Sequence, residues 1–167
     1  YNKEDFLNAE ISAKELLLNK PDNKRYYVQL SAIYNILEKY DLSLATIEVS
    51  YMKGLLEKPE EFTNLASFYL YKKNPAMSAR VLENALSNEN IIFDKANAKL
   101  LSDAWLFAKE RSKSLEVLER SLDAEPNDTK LINQYINIAF SAFEWDEVIN
   151  GVFMAKKMVL KMMANIH

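Results

Sequence analysis

Apolar residues recur along this chain at helical spacing, each block with one apolar stripe and polar positions between. Leu30 and Tyr34, Leu65 and Tyr69, and Leu101 and Trp105 are each four residues apart, which places each pair on one face of a helix that must be buried. Turn signals separate the blocks. Asn74 with Pro75 reads as an N-cap followed by the first helical residue, and Pro59 with Glu60 and Glu61 opens a helix with charges that suit its dipole. Gly54 closes the helix before it. Trp145, Asp146 and Glu147 start a last helix that runs to about Ala164. The pattern predicts about nine helices: one orphan, then four pairs.

The blocks also repeat. Tyr27, Leu30, Ser31 and Tyr34 return as Phe62, Leu65, Ala66 and Tyr69, and again as Ala98, Leu101, Ser102 and Trp105, at offsets of 35 and 36 residues. Behind each stands a second set in constant register: Ser43, Ile47 and Ser50; Ser78, Leu82 and Ala85; Ser114, Leu118 and Ser121. A looser fourth copy has Ile132, Tyr135, Ile136 and Ala139, then Val148, Val152 and Ala155. At the front, Ala9, Ala13 and Leu16 followed by Pro21 match the second half of a repeat, so the chain is read as opening in mid-repeat at Tyr1, as a segment of a longer protein.

This set resembles the tetratricopeptide repeat, with its W-x2-L-G-x2-Y, A-x3-F and closing Pro over ~34 residues. Pro21 and Pro126 match the closing proline, while Leu55 and Asn90 hold that place in the middle copies. The resemblance implies an all-α fold, a right-handed α-solenoid of antiparallel helix hairpins. It is read as one domain over 1–167: a second helix of a truncated repeat at 5–20, repeats at 24–57, 59–92 and 95–127, and a divergent C-terminal repeat or cap at 129–165.

The small residues have a physical role. Ser31, Ala66 and Ser102 in first helices, and Ser43, Ser78 and Ser114 in second helices, let the two helices of a hairpin approach closely, where a bulky side chain would push them apart. Ile136 and Val148 take those places in the last copy, so its hairpin is expected to be splayed or adapted as an end cap.

Composition agrees with helices. Gly appears twice and Pro four times, too few turn formers for a β-rich chain of 167 residues, while 49% hydrophobic and 27% charged residues suit a packed core. The net charge of −3 is spread without a basic block, which argues against nucleic acid as a partner. No apolar run reaches the ~18 residues of a membrane span.

Catalytic inventory is thin. There is no cysteine, and the one histidine is His167, a terminal residue read as tail. The two glycines form no phosphate-cradling loop. The acidic group Glu144, Asp146 and Glu147 is read as helix capping rather than a cation site, and Lys156, Lys157 and Lys161 among Met154, Met158, Met162 and Met163 as a solvated face with an apolar stripe that packs inward or against residues outside this segment, rather than a partner-binding or membrane-surface helix. No enzyme, cofactor or metal is expected.

In the family this chain resembles, first helices line a concave groove. That register assigns Arg25, Asn35, Thr63, Ser67, Tyr71, Lys99, Asp103, Phe107, Asn133, Asn137 and Phe140 to it. Polar residues with a few aromatics suit an extended peptide or a helix. Family members that clamp a C-terminal carboxylate use Lys and Asn at fixed places, here occupied by Val28, Ala32, Thr63, Ser67, Lys99 and Asp103, so Lys99 stands alone and that ligand is not expected. The stretch Tyr26–Leu56 and the following repeat also resemble the repeat proteins found with TonB-type transport systems of marine proteobacteria, which would imply a periplasmic accessory of outer-membrane uptake; a cytoplasmic location is the alternative. The functional expectation is a non-catalytic interaction scaffold for a protein or peptide, with self-association open. A docking or regulatory module of a larger enzyme and a small-molecule sensor are the competing readings.

Overall fold

The computed structural model describes residues 3–164, so His167 and the last residue of the 129–165 range lie outside the described residues. Among the described residues there are nine α-helices and no strand: α1 Lys3–Asn19, α2 Lys24–Ile36, α3 Tyr40–Met52, α4 Pro59–Tyr71, α5 Pro75–Ser87, α6 Lys95–Phe107, α7 Arg111–Ala124, α8 Thr129–Ala142 and α9 Trp145–Ala164. The fold class is the all-α, tetratricopeptide-like one expected from the repeat. The chain divides into two compact units, Tyr1–Phe68 and Tyr69–His167, with the division inside α4.

In the first unit α1 packs on α2, and α2 pairs with α3 as a hairpin. Ala13, Leu30 and Tyr34 form its buried cluster, with Leu17 and Ile33 against it. At the α2–α3 crossing, Ser31 and Ser43 are buried with their hydroxyls 2.8 Å apart, and the Ser43 hydroxyl donates to the Ser31 carbonyl at 3.0 Å. Two hydroxyls that would otherwise lose water satisfy each other there. Glu10, also buried, is held by Lys14 and Lys39 at 2.6 Å each. Hydrogen bonds from Lys14 and then Lys39 keep its carboxyl below the ordinary glutamate range, and the Lys39 bond ties α1 to the α2–α3 turn.

In the second unit α6 and α7 form one hairpin and α8 and α9 another, with α5 on α6 and α7 on α8. Leu115, Leu118, Leu122, Ile132 and Tyr135 lead its buried cluster. Ser102 and Ser114 repeat the serine crossing, hydroxyls 2.9 Å apart and the Ser114 hydroxyl donating to the Ser102 carbonyl at 3.0 Å.

Of the two expectations drawn from Ile136 and Val148, a splayed hairpin or an end-cap adaptation, the splayed one is not met at the α8–α9 crossing. A Cβ added at buried Gly151 would lie 2.4 Å from Ile136 Cγ1, so α9 gives up a side chain where α8 projects a large one. The small partner has moved to the other helix, and Ile136 and Val148 both pack against the unit's core.

Six helix ends, those of α2, α3, α4, α5, α6 and α8, share one device. Residues 38, 54, 73, 89, 109 and 143 all adopt positive φ, and only Gly54 among them is glycine. In each case the next residue's N–H returns to a carbonyl five residues earlier: Lys39 to Tyr34, Leu55 to Ser50, Asn74 to Tyr69, Asn90 to Ala85, Glu110 to Trp105 and Glu144 to Ala139. This is the left-handed helix-terminating motif that satisfies otherwise orphaned carbonyls. At helix starts the side chains of Asn23, Asn74, Asp94 and Asp128 accept backbone N–H bonds as N-caps.

Candidate functional site

Burying the apolar stripe of a first helix leaves its opposite side in water, and that side carries the residues assigned to a partner surface. In the first unit Arg25 and Asn35 are exposed on α2, Ser67 is exposed on α4 and Thr63 is half-buried. The two hydroxyls are already committed: Thr63 Oγ1 donates to the Glu60 carbonyl at 3.2 Å and Ser67 Oγ to the Thr63 carbonyl at 2.8 Å. They smooth the helix surface more than they offer donors. Arg25 uses its backbone N–H to complete the Asn23 cap.

Asn35 lies on a cavity of about 270 Å³, which Val28, Asn64 and Phe68 also line and whose floor includes the Ser31–Ser43 crossing. Arg25, Thr63 and Ser67 are not part of its lining. Its lining is mainly apolar and includes the two amides Asn35 and Asn64, a composition that takes an apolar side chain and fixes its orientation by hydrogen bonds. Asn64 and Phe68 escaped the sequence register because they sit one residue beyond Thr63 and Ser67, on the side of α4 that turns toward α2.

Glu61 also borders this cavity. Burial pushes its carboxyl upward, but N–H bonds from Lys58 and Glu57 and the ammonium of Lys24 outweigh that and hold it below the ordinary glutamate range. Glu61 thereby closes the start of α4 as a capping-box residue. Lys24 reaches both Glu57 and Glu61, tying the start of α2 to the entry of α4. The second unit repeats the device: Lys95 at the start of α6 pairs with Glu125 and Asp128 at the entry of α8. These charges belong to the scaffold.

In the second unit the assigned residues are Tyr71, Lys99, Asp103, Phe107, Asn133, Asn137 and Phe140. Lys99, Asp103 and Phe107 follow one another at four-residue spacing on one face of α6, and Asn133, Asn137 and Phe140 share a face of α8. Tyr71, Phe107 and Phe140 are 73%, 65% and 60% exposed. Asn133 and Asn137 are exposed as well. Lys99 is not alone, since its ammonium pairs with Asp103 on the same helix, so neither acts as a bare charge.

Phe140 meets Trp145 edge to face at 5.6 Å, and Phe143 meets the same indole at 6.0 Å. The α8–α9 turn therefore presents three aromatic rings, each more than half exposed. Only Phe140 was legible as a surface residue, because Trp145 doubles as a helix start and Phe143 is carried outward by its left-handed backbone.

The acidic group at the start of α9 divides between roles. Glu147 accepts a hydrogen bond from the hydroxyl of fully buried Tyr135, which Glu119 also accepts at 3.1 Å. Burial, reinforced by those two carboxylates, keeps the Tyr135 hydroxyl protonated far above the ordinary tyrosine range. Among the described residues no three histidine, cysteine or carboxylate side chains gather in a way that could hold a metal ion, and no helix is long and apolar enough to cross a membrane.

No protein-family model matches the chain, and no curated protein sequence matches it. Solved structures do. The chain is similar to the crystal structure of MamA, at 16% identity over 97% of this chain and 93% of that one, with a TM-score of 0.58. It is similar to YrrB, described as a TPR protein with an unusual peptide-binding site, at 12% identity over 98% and 85% with a TM-score of 0.61. PilW, a type IV pilus biogenesis factor, aligns at 18% identity over 93% and 71% with a TM-score of 0.52. At these identities the likeness establishes the tetratricopeptide-like fold.

Proposed function

We propose that this chain is an interaction scaffold that holds a partner protein through a peptide segment laid on the exposed faces of its first helices. The observation that carries the reading is the presence of Tyr71, Phe107 and Phe140, all mostly exposed, on the outer sides of helices whose inner sides are buried. Rigid aromatic anchors flanked by amides such as Asn133 and Asn137 supply apolar contact at low entropy cost and hydrogen bonds to a peptide backbone. Within the first unit by itself, the cavity beside Asn35 and Asn64 has room for one apolar side chain of a peptide. The peptide-binding description of YrrB supports the same reading.

We extend the proposal to a compartment and a system: the periplasm, as an accessory of TonB-type uptake. This rests on the sequence resemblance over residues 26–86 alone.

Display of a random peptide library against the chain tests the central reading. Enriched peptides are expected to lose on the order of tenfold or more in affinity against the Tyr71→Ala, Phe107→Ala, Phe140→Ala triple variant. A library that yields no enriched sequence, or peptides indifferent to the triple variant, contradicts it.

A further inference from the structure

Met154, Lys157, Met158 and Lys161 follow one another along α9 in three- and four-residue steps, which sets them on one flank of the helix. That flank turns toward the core: Met158 is a buried member of the second unit's cluster, and Met154 packs against it. The same four residues line a cavity of about 300 Å³, and the rest of its lining is the end of α7 and the turn after it, Leu122, Asp123, Pro126 and Asn127. The helix is long enough to reach that turn. It has 20 residues against 14 in α8, so it runs roughly 9 Å past its hairpin partner.

The lining divides into an apolar part and a charged part. Leu122, Met154 and Met158 make the apolar part, which is continuous with the unit's core. Among the described residues neither Lys157 nor Lys161 has an ion-pair or hydrogen-bond partner. Asp123 is the one carboxylate among the described lining residues, so two ammonium groups leave the cavity net positive in a chain whose total charge is −3. The side-chain amide of Asn127, also without a partner among the described residues, adds a neutral donor.

We propose that this cavity binds a small anionic amphiphile, a medium-chain alkyl carboxylate. Its chain displaces water from Leu122, Met154 and Met158, and its head group offsets the charge of Lys157 and Lys161. At the ~30 Å³ of one liquid water the cavity has space for about ten non-hydrogen atoms, the size of such a molecule rather than of a peptide segment. A bare phosphate would meet the lysines and leave the apolar lining wet, and an uncharged chain would leave the lysines unmatched. The site lies on α7, α9 and the turn between α7 and α8, so it uses no first-helix face and does not rest on the peptide reading.

Titration of octanoate into the chain, followed by amide chemical shifts, reads the site directly. Shifts are expected at residues 122–127 and 154–161, with a dissociation constant of about 0.1–1 mM for a ligand this small. Lys157→Gln with Lys161→Gln is expected to weaken binding about tenfold or more with an unchanged circular-dichroism spectrum, and Asp123→Asn to strengthen it. Octanol, which keeps the chain and lacks the charge, is expected to bind about tenfold more weakly, and inorganic phosphate to leave those residues unshifted. No shifts at ~10 mM octanoate overturn the proposal, as do octanol or phosphate matching octanoate, an affinity that the double lysine variant leaves unchanged, or shifts confined to other residues.

Discussion

Gly151 of α9 lies directly under Ile136 of α8, so closely that a methyl group on the glycine would stand 2.4 Å from Ile136 Cγ1. In the other hairpins with both halves described in one unit, the close approach is made by facing serines. In the last hairpin a large residue meets no side chain at all. Ile136 is β-branched and stiff at χ1 in a helix, so it cannot swing away cheaply.

Gly151→Ala is therefore expected to destabilise the chain by about 1–3 kcal/mol, although alanine is the better helix former. In an Ile136→Ala background that cost should largely vanish, because the opposing Cγ1 is gone. Urea denaturation of the four members of this cycle measures the coupling, and additive effects would refute the contact.

The buried serines divide by whether they have a partner. Ser102 and Ser114 share hydrogen bonds, whereas Ser78 Oγ is buried with no hydrogen-bond partner among the described residues. Ser102→Ala is expected to cost about 1 kcal/mol, while Ser78→Ala should be neutral or stabilising, since it removes an unmet polar group. Equal losses in thermal melts would contradict the distinction.

Lys73 and Lys109 end their helices with φ of 58° and 65°, a conformation that costs a side chain energy and glycine little. Lys73→Gly and Lys109→Gly should each stabilise by about 0.5–1 kcal/mol, and Gly54→Ala should destabilise by a similar amount. Denaturation midpoints moving the opposite way would show that these ends are held differently.

Asp128 links acid stability to the repeat. The Lys95 ammonium and the N–H groups of Leu131 and Lys130 pull its carboxyl down from 3.8 to about 2. Because the folded value is lowered, its contribution is present above 3.8 and is lost as pH falls toward 2. Asp128→Asn should flatten the fall in stability across that window, and Lys95→Ala should flatten it in part. Unfolding curves with unchanged pH dependence would remove this pair from the account.

The hairpins were legible because their burial is periodic: Leu30 with Tyr34, Leu65 with Tyr69 and Leu101 with Trp105 advertise a helix face by spacing alone. Starts at Asn74 and Pro59 were legible for the same reason, as each has a residue-type signature. The five non-glycine helix ends were not, since nothing in Glu38 or Phe143 marks a left-handed residue. The splayed alternative for the last crossing failed because a register argument compares like positions, and the compensating gap at Gly151 sits at a different one. Among candidate surface residues, exposure followed from the period, and Tyr71, Phe107 and Phe140 are each more than half exposed. Availability did not follow: the Thr63 and Ser67 hydroxyls turn back on their own helix, and Lys99 and Asp103 pair with each other.

The most direct test of the interaction reading is amide chemical-shift mapping of the chain with a peptide selected from the random library. The account predicts perturbations on α2 and α4 near Asn35 and Asn64 or on α6 and α8 near Phe107, Asn137 and Phe140, with α3, α5 and α7 silent. Perturbations confined to those second helices would contradict it.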